Sequence, residues 1–503
     1  MAILPANVLV SDPASDWMKL GVPLVLQQDL TPAQFTSPAL SADEPGANQT
    51  GAQDILRTKI EDRGGKIHIQ ATVVDAATQK TSRTEEVDAA NAATLISALN
   101  ALAKKLDETA GEFSTKNTEA LKLFTSAAQD PNPQNRVALL NKAAVADPTF
   151  GMCYFLLLEL TASMGPQGYQ ATLASAQAHR ASFTPYDRAR FDLIARQLER
   201  APMAQRTAAA EALLKVAPND IDGLAITSGI RFLKGDIAGG SEAINRAISL
   251  SPGNSNLQAQ LAEGLVQSKR FVESEKVLAK FNQNPAALPE LAITILLEGD
   301  LARANQTAER FFTSVPNEEY RTILRASWTE LTGDHAKAIA LAENAKFTNA
   351  NIRGLALSEA AVWRLMNKDV AGAKKTAALA AQSDNHPTAI TAVASLLVSG
   401  DEPPEEWRKK VEASALNAQM KQPILAYGFF LNGHYNEAAV EWRKALDQSE
   451  GSDLRARAML AASLDRAGKS DEAKKINVQP FLIREFADVY GSVVFNEMRR
   501  LTK

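Results

Sequence analysis

Apolar residues between positions 114 and 480 follow the three-and-four spacing of amphipathic helices, and short turns interrupt them at a nearly constant interval. The turns that precede the second helix of each pair are marked by Asp130, Gly165, Arg200, Gly235, Lys269, Gly299, Gly333, Lys368, Gly400, Gly433 and Gly468. These markers average about 34 residues apart, which is the period of a helix–turn–helix repeat. The pattern predicts a mainly α-helical chain, an α-solenoid of about eleven helix pairs.

The residues around these turns predict that the two helices of a pair pack closely. A small residue stands five positions after the turn glycine in four copies, at Ala304, Ala338, Ala438 and Ala473. Alanine lets two helix backbones approach, and a larger group one turn later, such as Trp442, wedges against the next pair. Glycine suits the left-handed conformation that ends a helix, and an aspartate after it caps the next helix. Prolines are predicted to stop the second helices at Pro148, Pro218, Pro252 and Pro316.

The first 110 residues lack this period. Residues 67–73 alternate apolar and polar side chains, and the turn "DRGGK" before them predicts a β-hairpin, with a second turn at "DAATQK". A strand is predicted in "AILPANVLV", a helix around or after Pro23, and another helix over residues 89–108. Residues 32–52, rich in proline, alanine, serine and glycine, are predicted to form a loop. Together these elements indicate a small α/β domain over residues 1–110.

Two family resemblances rest on these stretches. Residues 114–480, with copies such as "GDLARANQTAERFFTSVP" and "GHYNEAAVEWRKAL", resemble tetratricopeptide repeats. That resemblance implies a concave groove, lined by the first helix of each pair, that takes peptides or protein segments. Residues 1–110, through "ILPANVLVSDPASDWMKLGV" and "ILRTKIEDRGGKIHIQATVVDAATQK", resemble the TolB amino-terminal-like domain, which has a further strand and helix where residues 32–52 stand. This second resemblance implies a bacterial protein with a membrane helix and a cyclase, kinase or DNA-binding domain ahead of these regions.

The last stretch, residues 481–503, departs from the repeat pattern and has the spacing of one or two amphipathic helices. Stacked repeats expose an apolar end to water unless something covers it. This stretch is therefore predicted to be a capping helix of the solenoid.

Composition narrows the classes of partner and compartment. The formal net charge is -4 and no basic stripe is present, so no nucleic-acid partner is predicted. The single cysteine, Cys153, lies in the apolar run "GMCYFLLLEL" and is predicted to be a buried thiol. No apolar run reaches the ~18 residues of a membrane span, and "MAILPANVLV" lacks the basic start of a signal peptide. We predict a periplasmic or extracytoplasmic location, with tethering through a missing upstream segment; the alternative is cytoplasmic.

The motifs predict no catalytic residue, no metal site and no cofactor. The five histidines do not stand at metal-ligand spacing, and a single cysteine cannot form a multi-thiolate zinc site. Phosphate-binding glycine motifs and the G-x-S-x-G motif are absent from the sequence. His335 and His434 stand at turns and are predicted to begin helices. The adjacent acids Glu61 and Asp62 are predicted to be solvated on a hairpin rather than to act as acid and base.

Six residues are predicted to bind a partner on the groove wall that the repeat resemblance implies. They stand on predicted first helices, at Tyr320, Glu330, Tyr427, Phe430, Arg455 and Asp465. The aromatic residues among them, and Trp328 nearby, have an alternative interpretation as hydrophobic core between neighbouring repeats.

Three functional hypotheses follow. The first is a scaffold without catalysis that binds a protein or peptide partner through the concave groove. The second is an extracytoplasmic ligand-sensing module of a bacterial signalling receptor linked to a cyclase or kinase, which an upstream membrane helix would favour. The third is an enzyme built from scattered groove residues, which requires turnover that substitution of one acidic residue or histidine abolishes.

Overall fold

The structure of the chain is a computed structural model that describes residues 1–10, 12–33, 39–49, 52–162, 166–199, 201–383, 389–416, 418–483, 486 and 488–502. The chain forms two compact units. Unit 1 comprises Met1–Phe232 and Ala238–Leu257, and unit 2 comprises Leu233–Ile237 and Gln258–Lys503.

Unit 1 begins with a mixed sheet, which has six strands in the described residues. They are β1 Ala2–Ile3, β2 Asn7–Val8, β3 Ala39–Leu40, β4 Asp54–Arg63, β5 Lys66–Asp75 and β6 Thr81–Ala89. The order is β3-β1-β4-β5-β6, and β2 also pairs with β4. The antiparallel meander β4-β5-β6 confirms the predicted hairpins, and Gly64 and Gly65 adopt left-handed backbone at its first turn. The strand predicted in the first ten residues is split into β1 and β2.

The prediction that residues 32–52 form a loop is wrong for part of that stretch. Ala39–Leu40 pairs parallel with β1, and Glu44–Gln49 is a short helix. Pro45 lies in its first turn, where proline is tolerated because its missing N–H would have no partner within the helix. Ala47 of this helix packs in a small core with β1 and β4. A two-residue strand is too short to show an alternating pattern, so periodicity could not predict it.

The rest of the described chain is mainly helical. In chain order the helices are α1 Met18–Leu30, α2 Glu44–Gln49, α3 Leu95–Leu106, α4 Thr118–Gln129, α5 Pro133–Ala146, α6 Gly151–Ala162, α7 Pro166–His179, α8 Pro185–Leu198, α9 Met203–Val216, α10 Ile221–Leu233, α11 Ile237–Leu250, α12 Ser255–Gln267, α13 Phe271–Leu278, α14 Leu288–Glu298, α15 Leu301–Ser314, α16 Glu318–Leu331, α17 His335–Asn344, α18 Ala350–Met366, α19 Val370–Ser383, α20 Ala389–Val398, α21 Pro404–Ala413, α22 Ala418–Leu431, α23 Tyr435–Gln448, α24 Leu454–Arg466, α25 Ser470–Ala473 and α26 Gly491–Thr502. From α4 to α25, first and second helices alternate, and they form eleven successive pairs within the described ranges. The predicted fold class, a mainly α-helical array of helix pairs after a small α/β region, is confirmed.

Left-handed backbone occurs at most of the predicted turn markers. The described markers with this conformation, at φ between 59° and 98°, are Gly235, Lys269, Gly299, Gly333, Lys368, Gly433 and Gly468. A left-handed residue ends the first helix and lets the chain reverse within a few residues. Asp130 turns with φ of -74° instead. Gly400 has no left-handed backbone either, and Gly165 and Arg200 lie outside the described residues.

The helix caps and the alanine stripe follow the prediction. The side chains of Asp300 and Asp334 accept hydrogen bonds of 3.0 and 3.2 Å from backbone N–H groups in the first turns of α15 and α17. Each proline predicted as a stop follows its second helix by two residues. The four alanines that follow the turn glycines are all buried, at Ala304, Ala338, Ala438 and Ala473. The helices of a pair therefore approach closely.

The sheet and the first helix pairs share one hydrophobic core in unit 1, which joins Leu56 of β4 to Phe124 of α4. Beside this core, Gln28 of α1 donates a hydrogen bond of 3.0 Å to Asp187 of α8, and Ser114 donates one of 2.6 Å to the same carboxylate. Burial raises the pKa of Asp187 to about 6. The sheet and the first repeats are thus one compact unit, while the predicted domain boundary and the TolB resemblance stay predictions.

Candidate functional site

The six residues predicted to bind a partner all lie on first helices of unit 2. Helix α16 carries Tyr320 and Glu330, α22 carries Tyr427 and Phe430, and α24 carries Arg455 and Asp465. These helices place them in two kinds of surroundings. Some side chains pack between helices of the repeats, and others contact the part of the chain that follows α25.

Tyr427 lies in an aromatic stack. Its ring is parallel to that of Tyr490 at a centroid distance of 4.0 Å, and the ring of Trp442 meets it nearly at a right angle at 4.7 Å. Burial raises the pKa of the Tyr427 hydroxyl. Phe430 is also buried and packs edge-on against Tyr435 of the next helix at 5.5 Å. Phe430 therefore belongs to the hydrophobic core, as the alternative interpretation of the aromatic residues predicted. Tyr427, in contrast, contacts the C-terminal part of the chain.

Arg455 and Asp465 form ion pairs with the same C-terminal part. Arg455 Nη1 donates to Asp488 Oδ2 at 2.7 Å, and Arg500 Nη1 donates to Asp465 Oδ2 at 2.7 Å. Ser470 Oγ donates to the other carboxylate oxygen of Asp465 at 2.8 Å. The hydrogen bonds from Arg500 and Ser470 lower the pKa of Asp465. Arg455 and Asp465, two charges predicted for the groove wall, are therefore paired within the chain.

Tyr320 and Glu330 lie near opposite ends of α16. The Tyr320 residue is 38% exposed, whereas Glu330 is fully buried. A carboxylate oxygen of Glu330 lies 2.7 Å from Nδ1 of His335, the first residue of α17, and burial raises the pKa of Glu330. Glu330 thus links the two helices of its own pair across their turn. His335 and His434 both stand at helix starts, as predicted.

We call residues 476–502 the C-terminal segment. Its described residues before Gly491 form neither helix nor strand, and α26 follows. Apolar side chains along it are buried, at Phe481, Leu482, Ile483, Phe486, Val489, Val493, Val494, Phe495 and Met498. The segment contacts α24, as a cap does, and it also reaches α18 through Met366 and α16 through Trp328. The first helices of several pairs therefore hold one continuous piece of the chain, which the repeat pattern did not indicate.

We call the surface beneath this segment the unit 2 groove and define it by Phe311, Phe312, Trp328, Tyr427 and Arg455. Three of the six predicted residues, Tyr427, Arg455 and Asp465, contact the C-terminal segment directly. The groove chemistry predicted for a partner is therefore engaged by the chain itself.

Unit 1 has an open cavity of about 550 Å³ beside its first helices, which we call the unit 1 cavity. Its apolar wall includes Phe124 of α4 with Met152, Phe155 and Leu156 of α6. Its polar edge is formed by the end of α1, by α8 and by the residues that begin α10. The volume is within the range of pockets that bind ligands, roughly 300–1,000 Å³.

The polar edge of the unit 1 cavity is a closed hydrogen-bond network. Tyr186 Oη donates to Asp220 Oδ2 at 2.8 Å, and Arg190 Nη1 donates to Tyr186 Oη at 3.0 Å. Arg190 Nη2 donates to Asp222 Oδ2 at 2.6 Å. Asp220 Oδ1 accepts from the N–H of Gly223 at 2.7 Å and so caps α10. Because these groups satisfy one another, they hold the edge in place without a ligand.

Sequence reasoning missed the unit 1 cavity. Its apolar wall belongs to "GMCYFLLLEL", whose apolar residues surround the helix and do not distinguish a cavity face from a core face. A signal was present in the spacing of Tyr186 and Asp220, which stand one repeat period apart at the starts of neighbouring first helices. The prediction for Cys153 is confirmed, since the thiol is buried and burial raises its pKa to about 12.

Among the described residues, no group of three His, Cys, Asp or Glu side chains is placed to hold a metal ion. In the same ranges, no helix has both the length and the apolar character that a membrane crossing requires. One of the five histidines, His386, lies outside the described residues.

No protein-family model matches the chain, and no curated protein matches it. Solved structures are similar to it at low identity, and three of them are described by their coverage and TM-score. A Naa15/Naa10 complex bound to HypK-THB has 14% identity and a TM-score of 0.25. The match covers 71% of this chain and 62% of the matched chain, so this chain spans less than two thirds of the length of the matched chain. A human IFIT1 dimer with m7Gppp-AAAA has 13% identity and a TM-score of 0.28, and the match covers 72% of this chain and 89% of the matched chain. A Cut9-Hcn1 hetero-tetramer of APC/C has 10% identity and a TM-score of 0.27, and the match covers 80% of this chain and 83% of the matched chain.

Proposed function

We propose that the chain is a scaffold without catalytic activity that binds polypeptide segments of partner proteins on the first helices of its repeats. One observation carries this proposal: the first helices of unit 2 already hold a polypeptide segment, the C-terminal segment of the chain itself. The contacts include the packing of Phe486 on Trp328, the stack of Tyr490 on Tyr427 and three ion pairs. The inner surface of these repeats thus has chemistry that suits a protein ligand.

In this proposal the unit 1 cavity is the open site for a partner. Its repeat side is formed mainly by the first helices α4, α6 and α8, and it combines an apolar wall with a preformed polar edge. An apolar side chain of a partner would replace water against Leu156, and its backbone groups would meet Gln27, Asn219 and Asn254. Apolar burial with a few directed hydrogen bonds is the usual chemistry of such pockets.

The proposal is tested by selecting peptides from a random displayed library on the full chain. The variant Leu156→Glu places a charge on the apolar wall, and Val145→Glu is the matched control, because Val145 is 82% exposed and does not line the cavity. Selected peptides are expected to bind the wild type and the control alike and to bind Leu156→Glu at least about tenfold more weakly, roughly 1.4 kcal/mol. Thermal unfolding of each variant checks that it remains folded.

Two results would overturn the proposal. One is a library that yields no peptide with affinity above background. The other is a set of peptides that binds Leu156→Glu as tightly as it binds the wild type, since the cavity would then not be their site.

A further inference from the structure

The C-terminal segment inserts one aromatic ring into an aromatic cage. The ring centroid of Phe486 lies 5.9 Å from that of Phe311, 6.1 Å from that of Phe312 and 5.1 Å from that of Trp328. Phe486 is buried. The three cage residues belong to α15 and to the following first helix α16, so one side chain connects the segment to two successive helix pairs. Side chains buried in such a manner dominate the affinity of most protein interfaces.

Two residues later, Asp488 makes a charge contact and holds the turn that leads into α26. Its Oδ2 accepts the 2.7 Å hydrogen bond from Arg455, and its Oδ1 accepts a 3.0 Å hydrogen bond from the N–H of Tyr490. The carbonyl of Asp488 also accepts from the N–H of Gly491, the first residue of α26, at 2.8 Å. An aspartate in this place therefore fixes the turn before the helix and also pairs with the groove.

After another two residues, the ring of Tyr490 stacks on Tyr427, with an angle of 6° between the planes. Helix α26 then adds an ion pair of 2.6 Å between Glu497 and Arg466. The segment thus presents an aromatic residue, an aspartate and a second aromatic residue at alternate positions, followed by an amphipathic helix. Each of these features has its own complementary group in the unit 2 groove.

A buried carboxyl group of the repeats interacts unfavourably with the charge of the segment. Glu359 of α18 is fully buried, and its Oε2 accepts a 2.6 Å hydrogen bond from Ser327, whereas its Oε1 has no hydrogen-bond partner among the described residues. Burial disfavours the ionisation of Glu359, and the negative charge of Asp488 adds to this effect. An ionised Glu359 and Asp488 repel each other, so ionisation of Glu359 weakens the hold on the segment.

We propose that the unit 2 groove is a binding site for polypeptide segments of one pattern. In this pattern an aspartate leads into an amphipathic helix, and one aromatic residue stands two positions before the aspartate and another two positions after it. The chain's own C-terminal segment is an exchangeable occupant of this site, and a partner that carries the same pattern displaces it. This inference concerns a groove other than the unit 1 cavity, so either proposal can fail while the other stands.

The test uses the full chain with a site for a sequence-specific protease inserted after Lys475, where the chain is exposed. After cleavage, a fluorescent peptide of residues 476–503 is added and its anisotropy is followed. The peptide is expected to enter the cut chain and to be released by excess unlabelled peptide. The uncut chain is expected to bind it at least about 100-fold more weakly, because its own segment is present at a high effective concentration.

Peptide variants separate recognition from general packing. Phe486→Ala in the peptide is expected to weaken binding about 100-fold, and Asp488→Arg at least about 30-fold. Asn477→Ala is the control, since Asn477 is exposed, and it is expected to bind as the unchanged peptide does. The Asp488→Arg peptide is expected to regain affinity for an Arg455→Asp chain, because the charges are then exchanged. The peptide variants leave the chain unchanged, so they remain informative even where Arg455→Asp does not fold.

Two results would overturn the inference. In one, the cut chain keeps its segment and excludes the labelled peptide through prolonged incubation, which would make the segment a fixed part of the fold. In the other, the Phe486→Ala and Asp488→Arg peptides bind as tightly as the unchanged peptide, which would remove the proposed pattern of recognition.

Discussion

The unit 1 cavity and the unit 2 groove are built on the same kind of helix pair, yet one is open and the other is covered. In unit 1, Tyr186, Arg190 and Asp220 bond one another and leave the apolar wall uncovered. In unit 2, Tyr427 and Arg455 bond the C-terminal segment. The comparison indicates that the same kind of helix pair can hold a segment of its own chain or leave a cavity open, depending on where its polar and aromatic side chains find their partners.

The largest effect is expected from Phe486→Ala, which empties the aromatic cage of the unit 2 groove. Truncation of a buried phenylalanine costs about 3–5 kcal/mol of unfolding free energy, through lost burial and the cavity left behind. The loss is expected in unit 2 and not in unit 1. Hydrogen exchange resolved by peptide measures the two units separately, because each peptide reports the opening of its own region.

A control for this substitution is Leu301→Ala on α15, where the native side chain is 45% exposed. It is expected to change the unfolding free energy by less than about 1 kcal/mol. If Phe486→Ala were as mild as this control, the segment would not hold the groove through its aromatic ring, and the contrast between the two units would lose its main support.

A smaller, pH-dependent effect is expected at Glu359. Burial raises its pKa from 4.5 to about 8, so the folded chain keeps a proton that the unfolded chain releases. This contribution lowers the free energy of unfolding as the pH rises from 4.5 to 8. Glu359→Gln has no such proton, and its stability relative to the wild type is expected to increase by about 3 kcal/mol between pH 4.5 and pH 7.

Urea unfolding of both chains at a series of pH values measures this difference. Below about pH 3.5 the difference is expected to be constant, because the wild-type carboxyl is then protonated in both states. A difference that stayed constant up to pH 8 would show that the buried carboxyl does not retain its proton in the folded chain.

The smallest effect is expected from Tyr186→Phe in unit 1. The variant loses the hydroxyl that donates to Asp220 and accepts from Arg190, while the ring remains. Loss of a buried hydrogen bond of this kind lowers the unfolding free energy by about 1–2 kcal/mol. Tyr435→Phe is the matched control, and it is expected to stay within about 0.5 kcal/mol of the wild type. Equal effects of the two variants would mean that the polar edge of the unit 1 cavity is not a stabilising network.

Much of the fold could be predicted because its signals are local. The turn at Gly299 and the cap at Asp300 depend on neighbouring residues, and the alternation over residues 67–73 shows the sheet directly. The short strand Ala39–Leu40 could not be predicted, since it forms only by pairing with β1 across intervening chain. The repeat period predicted the helix pairs, but it did not predict how the C-terminal segment packs against several of them.

The functional surfaces were harder to predict because their contacts are distant in sequence. Tyr427 and Arg455 were correctly placed on first helices, but nothing near them in the sequence indicates that Tyr490 and Asp488 lie against them. Glu330 was expected on a groove wall, and it is buried beside His335 because the turn of its own pair brings the two together. Their roles as contacts for a partner stay predictions.

The route of the C-terminal segment also has a consequence for synthesis. A chain leaves the ribosome from its N-terminus and its early parts fold first, so all eleven helix pairs emerge before Phe486 does. Until then the cage of Phe311, Phe312 and Trp328 has no ring to enclose. A chain that ends before Phe486 therefore has repeats with an uncovered aromatic surface, and the cell's chaperones would meet that surface on every such product.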